Sequence, residues 1–283
     1  MKMSLTIIRQ TVINEFEIHL TQLERAPSTI SAYLRAVNAL WNYSGARPMT
    51  RELLMNYKQS LINQYDAPAT INAYIAAVNA FVVFLDRRDL VLKPLRIQRN
   101  LFRDESKELK RGDYLRLVEA ASCKSRRLSL VIQTICTTGI RVSELRFITA
   151  EAVRAGRAEI DNKGKRRIIF LPEKLRRALV KYLRDEKKNT GPVFSTRTGK
   201  PLDRSNIWRD MKALCTQAGV NPEKVFPHNL RHLFASTHYT MHRDMTRLAD
   251  VLGHSCINTT RIYTAESGGI HARQIEALDL LIT

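Results

Sequence analysis

Two segments near the N-terminus repeat each other, and this repeat limits most strongly how the first third of the chain can fold. Residues 26–40, "APSTISAYLRAVNAL", and residues 67–81, "APATINAYIAAVNAF", match at ten of fifteen positions with an offset of 41. In both, apolar residues recur at the three- and four-residue spacing of an amphipathic helix. Helical patterns at about 5–22 and 50–64 complete a small all-helical unit. Two copies are too few for a solenoid.

The start of each repeated segment carries a capping signal. A proline stands just ahead, and Ser28 or Thr29 in the first copy and Thr70 in the second can accept a hydrogen bond from a first-turn backbone N–H. We therefore expect these hydroxyl side chains to cap the two helices.

The segment 91–107, "VLKPLRIQRNLFRDESK", loses helical periodicity, contains a proline and is charged, as is typical of a linker. We place the domain boundary near residue 105, which gives domains 1–104 and 105–283. Residues 1–100 carry a net charge of +5 and residues 101–283 a net charge of +14. A single polyanion held between two basic domains explains this distribution better than one basic tail.

The second domain is predicted to be α+β. A strand signal at 158–172, "AEIDNKGKRRIIFLP", consists of two β-prone runs around a turn in which Gly164 can take a positive φ, and 193–202 is a second hairpin candidate. Helical spacing is present at 111–121, 126–138, 143–148, 172–188, 204–218, 228–241, 243–252 and 256–263.

Composition excludes several classes of protein. The chain has no apolar run long enough for a membrane helix and no signal-peptide pattern, so we expect a cytoplasmic protein that does not bind membranes. Its four cysteines form no CxxC pair for zinc or redox chemistry. His238 and His242 have the spacing of metal ligands but lack a third ligand nearby, which favours an ordinary polar helix face over a metal site.

Residues that bind phosphate or transfer protons stand at several predicted helix ends and turns. In chain order they are Arg141 with Glu144, Lys163, His228 with Arg231, His254, and Tyr263. Each alone has an ordinary explanation: a helix-opening ion pair, a solvated turn lysine, a surface pair, a capping histidine, or a core tyrosine. Their order and spacing together point to a shared site.

That order resembles the tyrosine recombinase, or phage integrase, family. The resemblance covers roughly residues 105–275 in the phrases "TGIRVSEL", "NKGKRR", "HNLRHLFAS" and "LADVLGHSCINTTRIYT", and the repeated helices look like the family's N-terminal core-binding domain. It implies a mainly α fold: an all-helical, SAM-like core-binding domain followed by an α+β catalytic domain with a small antiparallel sheet. With a first helix expected from about residue 5, the layout is Xer-like. A compact integrase of a mobile genetic element would share this layout.

The chemistry of phosphodiester cleavage agrees with the resemblance. Guanidinium forks on Arg141 and Arg231 can each donate two hydrogen bonds to the non-bridging oxygens, and His254 can add another donor. Glu144 is expected to orient the arginine and histidine side chains.

The remaining residues supply the nucleophile and the proton transfers. Tyr263 is the expected nucleophile, and because a phenol is protonated near neutral pH, His228 is the candidate base. By resemblance, Lys163 is the general acid that protonates the departing 5′ oxygen.

The reading implied by the resemblance is a site-specific recombinase that cuts and rejoins double-stranded DNA at a specific site through a 3′-phosphotyrosyl link, with no metal, ATP or other cofactor. Candidate base-reading helices are 67–82 and 204–216, the latter with Arg204 and Arg209. Gly268 and Gly269 can act as a hinge for an apolar C-terminal helix, exchanged between protomers of a tetramer on DNA. The alternatives are a type IB topoisomerase, which shares this chemistry, and a non-catalytic DNA-binding protein.

Overall fold

The computed structural model describes residues 7–97, 105–162, 165–196, 198–254, 256, 259–260 and 276–277. The chain separates into two compact units, Met1–Arg99 and Asn100–Thr283. Within the described ranges, no helix combines the length and the apolar character needed to cross a membrane.

The N-terminal unit is a bundle built around the two repeated helices. Its helices are α1 Gln10–Gln22, α2 Pro27–Ser44, α3 Arg51–Gln64 and α4 Pro68–Phe84. The repeated helices, α2 and α4, pack against each other, and their apolar faces are buried at Val37, Leu40, Val78 and Phe81. The Phe81 ring meets Phe16 of α1 edge to face, with 5.2 Å between ring centroids. The prediction of an all-helical N-terminal unit is confirmed.

The predicted capping residues are wrong. The N-caps are Ala26 and Ala67, neither of which makes a side-chain cap, and Pro27 and Pro68 occupy the first helical turn. Proline suits that position because its φ is already helical and its missing N–H would have had no partner within the helix. The predicted capping hydroxyls therefore stand inside the first turn.

Two asparagines of α4 bind the segment that follows the bundle. Asn79 accepts a hydrogen bond from the Leu92 N–H at 2.8 Å and donates one to the Leu92 carbonyl at 2.8 Å. Asn72 does the same with Leu95 at 2.7 and 2.9 Å. Seven helical residues rise about 10.5 Å, and three extended residues span about 10 Å, so the two spacings match. The part of the predicted linker up to Leu95 thus belongs to the N-terminal unit.

In its described residues, the C-terminal unit is mainly helical with one small sheet, as expected. Its helices are α5 Arg111–Lys124, α6 Arg126–Thr138, α7 Ala150–Ala155, α8 Glu173–Asp185, α9 Arg204–Lys212, α10 Cys215–Ala218, α11 Pro227–His242 and α12 Met245–Leu252, and its strands are β1 Arg157–Asn162 and β2 Lys165–Phe170. Helix α6 lies at the centre of the core, where Val131, Ile132 and Ile135 are fully buried.

The strands β1 and β2 pair antiparallel, with Ile160 opposite Arg167. Side chains alternate between the two faces of a strand, so Arg167 shares the inner face of β2 with the buried Ile169, while Ile168 and Phe170 are exposed on the outer face. An arginine therefore points toward the interior of the domain.

Several predicted elements differ in the structure. Residues Val142–Phe147 form a 3₁₀-helix rather than an α-helix, and the helix predicted at 204–218 is divided into α9 and α10. Helix α7 was not predicted because its six residues are too few to show a period. In the described residues of the second hairpin candidate, the structure shows an isolated bridge between Ser195 and Pro201. Most of the predicted helix at 256–263 lies outside the described residues.

Candidate active site

Arg141 stands between α6 and the 3₁₀-helix and is held by the carboxylate of Glu144. Its backbone N–H donates to Glu144 Oε2 at 2.8 Å, and its Nη1 donates to Glu144 Oε1 at 3.0 Å. The Glu144 side chain is 1% exposed, whereas the Arg141 side chain is 37% exposed. The Arg141–Glu144 ion pair at the start of the 3₁₀-helix is therefore present, and it leaves the Arg141 guanidinium accessible to a ligand.

The same carboxylate holds a second arginine, Arg167 of β2, which the sequence analysis did not single out. Arg167 Nη2 donates to Glu144 Oε2 at 2.7 Å, and Arg167 Nη1 donates to the Leu252 carbonyl at 2.6 Å. Burial lowers the pKa of Arg167, and the charge of Glu144 opposes that shift. The alternation of β2, with Arg167 on the face of Ile169, is the sequence signal that could have identified it.

Arg231 of α11 is the largest fully buried side chain among the described residues, at 1% exposure. Its Nη1 donates to the Gly139 carbonyl at 2.6 Å, and its Nη2 donates to the Leu252 carbonyl at 2.8 Å. Gly139 caps the C-terminus of α6, and Leu252 is the last residue of α12. The negative ends of two helix dipoles thus hold this cation in place.

His254 follows α12 and is bound at both ring nitrogens. Its Nε2 lies 2.9 Å from Arg231 Nη2, and its Nδ1 lies 2.9 Å from the hydroxyl of Thr260, which is fully buried. A guanidinium can only donate, so Nε2 accepts and the ring proton is on Nδ1. Burial, then the positive charges of Arg231, Arg141 and Arg167, hold the pKa of His254 at about 4. In this state His254 accepts from Arg231, and its predicted role as a phosphate donor requires a change.

His228 lies in the first turn of α11, with its ring packed edge to face on His232 at 4.6 Å between centroids. Although its side chain is accessible to solvent, desolvation lowers the pKa of His228, and the charges of Arg231, Arg141 and Arg204 lower it further. A neutral imidazole near two guanidinium groups is suited to accept a proton.

The structure thus brings together the five described residues of the predicted catalytic set: Arg141, Glu144, His228, Arg231 and His254. The charge of Arg204, at the start of α9, also acts on His228. Lys163 and Tyr263 lie outside the described residues. On α9, Arg209 is exposed and bonds Asn206 at 3.0 Å. In the parts of the chain that the structure describes, no group of three or more side chains could hold a metal ion.

Replacing Glu144 with glutamine is expected to lower the free energy of unfolding by about 3 kcal/mol, because it leaves the Arg167 guanidinium partly buried without a counter-charge. Chemical denaturation measures this change. The matched control is Glu173→Gln, which removes an i,i+3 pair with Arg176 on the surface and should change stability little. Equal losses in the two variants would contradict the role given to Glu144.

Stability should also fall as the pH is lowered. The pKa of a histidine is about 6.5 when unfolded, whereas His254 has a pKa of about 4 in the fold. Between these values the unfolded chain binds more protons, so the free energy of unfolding decreases as pH falls through that window. Denaturant titrations at about pH 7 and about pH 5 measure the loss, which should be smaller in His254→Gln. The lowered pKa of His228 contributes in the same direction.

Comparisons with known proteins identify the family of the chain. The profile of the Phage integrase family matches residues 107–268. The chain is 34% identical over 150 residues to the tyrosine recombinase XerD of Xanthomonas campestris, covering 47% of this chain and 46% of that protein. The chain thus spans about half the length of this relative, and the same holds for other XerD proteins that it matches at similar identity. The chain is 27% identical over 282 residues to the XerD of Halalkalibacterium halodurans, covering 90% of this chain and 94% of that protein.

Among solved structures, the chain is similar to a lambda integrase tetramer bound to a Holliday junction, with a TM-score of 0.72, 16% identity, and coverage of 89% of this chain and 76% of that one. At this identity the similarity concerns the fold.

Proposed function

Because the chain belongs to the phage integrase family, we propose that it is a tyrosine-type site-specific recombinase that cuts and rejoins double-stranded DNA through a 3′-phosphotyrosyl intermediate. In this proposal residues 105–283 form the catalytic domain, and residues 1–104 form the core-binding domain. The reaction conserves the energy of the phosphodiester bond, so it needs neither ATP nor a metal ion.

The observation that carries this proposal is the buried Arg231 side chain, bonded to two carbonyls and to His254. A cation fixed in this way needs little rearrangement when negative charge develops on a phosphate, which is what makes a preorganised donor effective. Arg141, accessible and anchored on Glu144, supplies a second guanidinium for the same anion.

In the proposed cleavage step, the Tyr263 oxygen attacks phosphorus, and the bond between phosphorus and the 5′ oxygen breaks. The phenolic proton passes to His228, and Lys163 gives a proton to the departing 5′ oxygen. Arg141, Arg231 and His254 hold the non-bridging oxygens. Rejoining is the reverse reaction, with the 5′ hydroxyl of a partner strand as the nucleophile.

The assembly that we propose is a tetramer on DNA, in which the C-terminal segment after Gly268–Gly269 is exchanged between protomers. The similarity to a lambda integrase tetramer on a Holliday junction supports this. Arg204 and Arg209, which are exposed on α9, are proposed to contact the DNA. The net charges of the two halves predict an affinity that falls steeply with salt.

The experiment is covalent capture. DNA that the full chain binds is first recovered from a randomised duplex pool. A nick is then placed near the cleavage point, so that the short fragment bearing the new 5′ hydroxyl dissociates and religation fails. A protein–DNA adduct should survive denaturation. Trypsin should then release the adduct on the peptide 262–273, "IYTAESGGIHAR", in which Tyr263 is the one tyrosine.

The outcomes separate this proposal from its alternatives. An adduct on another peptide contradicts the assigned nucleophile, and no adduct on any recovered duplex favours a non-catalytic DNA-binding protein. Relaxation of supercoiled plasmid by a monomer, without pairing of two duplexes, favours a type IB topoisomerase.

A further inference from the structure

The buried hydroxyl of Thr260 is a contact that the proposed chemistry does not yet use. Thr260 is fully buried, lies three residues before Tyr263 in the chain, and contacts His254 Nδ1 at 2.9 Å. A threonine hydroxyl can both donate and accept a hydrogen bond. It is therefore a side chain that can serve either protonation pattern of the imidazole next to it.

The state in the structure uses Thr260 as an acceptor. Arg231 donates to His254 Nε2 at 2.9 Å, so the single ring proton of the neutral imidazole is on Nδ1 and points at the Thr260 oxygen. In this arrangement His254 Nε2 carries no proton that it could donate to a phosphate oxygen.

A bound phosphate would exchange the donor and acceptor roles of the two His254 ring nitrogens. Its oxygens accept hydrogen bonds, so they compete with His254 Nε2 for the Arg231 Nη2 donor and favour a proton on Nε2. The surrounding guanidinium groups disfavour a positive charge on the ring, and hence a second ring proton, so the imidazole stays neutral. One proton leaves Nδ1 for solvent and one is taken up at Nε2, while the Thr260 hydroxyl turns to donate to Nδ1.

We propose that Thr260 is a positioning residue that sets the tautomer of His254, accepting from Nδ1 in the free protein and donating to it once a phosphate occupies the site. This inference rests on the proposed function for the identity of the phosphate, which is the scissile phosphodiester. The tautomer of the free protein is independent of that function.

The direct test is nitrogen NMR of the full chain labelled on its seven histidines, with His254 assigned by its loss in His254→Gln. In the free protein, Nε2 should be unprotonated and Nδ1 protonated. Saturating inorganic phosphate, or a recovered duplex bound to Tyr263→Phe, should move the proton to Nε2. A protonated Nε2 in the free protein would overturn the inference. So would a bound state in which Nδ1 keeps its proton.

The functional test compares matched threonine variants in the covalent-capture assay. Thr260→Val keeps the shape but removes the hydroxyl, and cleavage should slow about tenfold because a buried ring nitrogen loses its partner. Thr260→Ser restores a hydroxyl and should cleave within about threefold of the unmodified chain. Thr259→Val is the control, since the Thr259 side chain is exposed and bonds the Cys256 carbonyl.

The outcomes of these two tests distinguish failure of the proposed function from failure of the inference about Thr260. If the unmodified chain forms no adduct, the proposed function fails, and the tautomer measurement with inorganic phosphate still decides the inference. If the unmodified chain cleaves and Thr260→Val cleaves equally fast, the function stands and Thr260 has no positioning role. Serine failing as badly as valine, with thermal unfolding unchanged in both, would likewise rule out the hydroxyl.

Discussion

Tyr263→Phe is expected to abolish the covalent protein–DNA adduct, reducing its rate of formation by at least about 10⁴-fold, because removal of the nucleophile leaves no oxygen to attack phosphorus. DNA affinity should be nearly unchanged, since the contacts to the phosphate come from cations elsewhere in the site. Adduct formation on a nicked duplex and binding to the intact duplex are measured side by side.

The control for this variant is Tyr239→Phe, which deletes a phenolic oxygen from α11 and keeps the ring that lies beneath Arg243. It should form the adduct at the rate of the unmodified chain. An adduct that persists in Tyr263→Phe with the same mobility and yield would remove the basis of the proposed reaction.

The second large effect concerns Arg231. Arg231→Lys keeps the positive charge but loses the planar fork that reaches the Gly139 and Leu252 carbonyls at once. Cleavage should slow about 10³-fold, which is a typical effect of losing one preorganised donor to a developing oxyanion. DNA binding should change by only a few-fold, because its electrostatic part depends on charge.

Single-turnover cleavage of the nicked duplex measures this effect, with DNA affinity measured at the same salt concentration. Arg176→Lys is the matched control, since that guanidinium pairs with Glu173 at the surface. Cleavage by Arg231→Lys at the unmodified rate would show that the fork does not hold the reacting phosphate. A loss of binding in proportion to cleavage would show that Arg231 acts mainly as a binding charge.

The sequence was sufficient for the elements with a clear period and for residues that stand in an ordered motif. The helices of the repeat, the hairpin strands, and the shared region of Arg141, Arg231 and His254 were expected from local patterns. Arg167 and Thr260 were not expected. The alternation of β2 puts Arg167 on the inner face, but the contacts that make both residues important are visible only in the coordinates. Arg167 reaches Leu252, 85 positions away.

The missed details of the N-terminal unit have a similar physical cause. A proline and a nearby hydroxyl are both helix-start signals, and the sequence did not decide which would stand at the cap. In the sequence, Asn72 and Asn79 are polar positions on an amphipathic helix. In the structure, their amides bond the backbone of an extended segment in the way that a neighbouring strand would. Such side-chain to backbone pairing has no period and becomes visible only in coordinates.

The way in which the arginines are held has an electrical consequence. Arg141 and Arg167 share the single carboxylate of Glu144, whereas Arg231 is bonded to helix-end carbonyls, which orient a cation without cancelling its charge. Three guanidinium groups and one carboxylate leave two formal positive charges. Attack of a phenolate on a phosphodiester passes through a pentacoordinate dianion. The two positive charges of the cluster balance the charge of this dianion, and they exceed by one the single negative charge of the uncleaved phosphodiester.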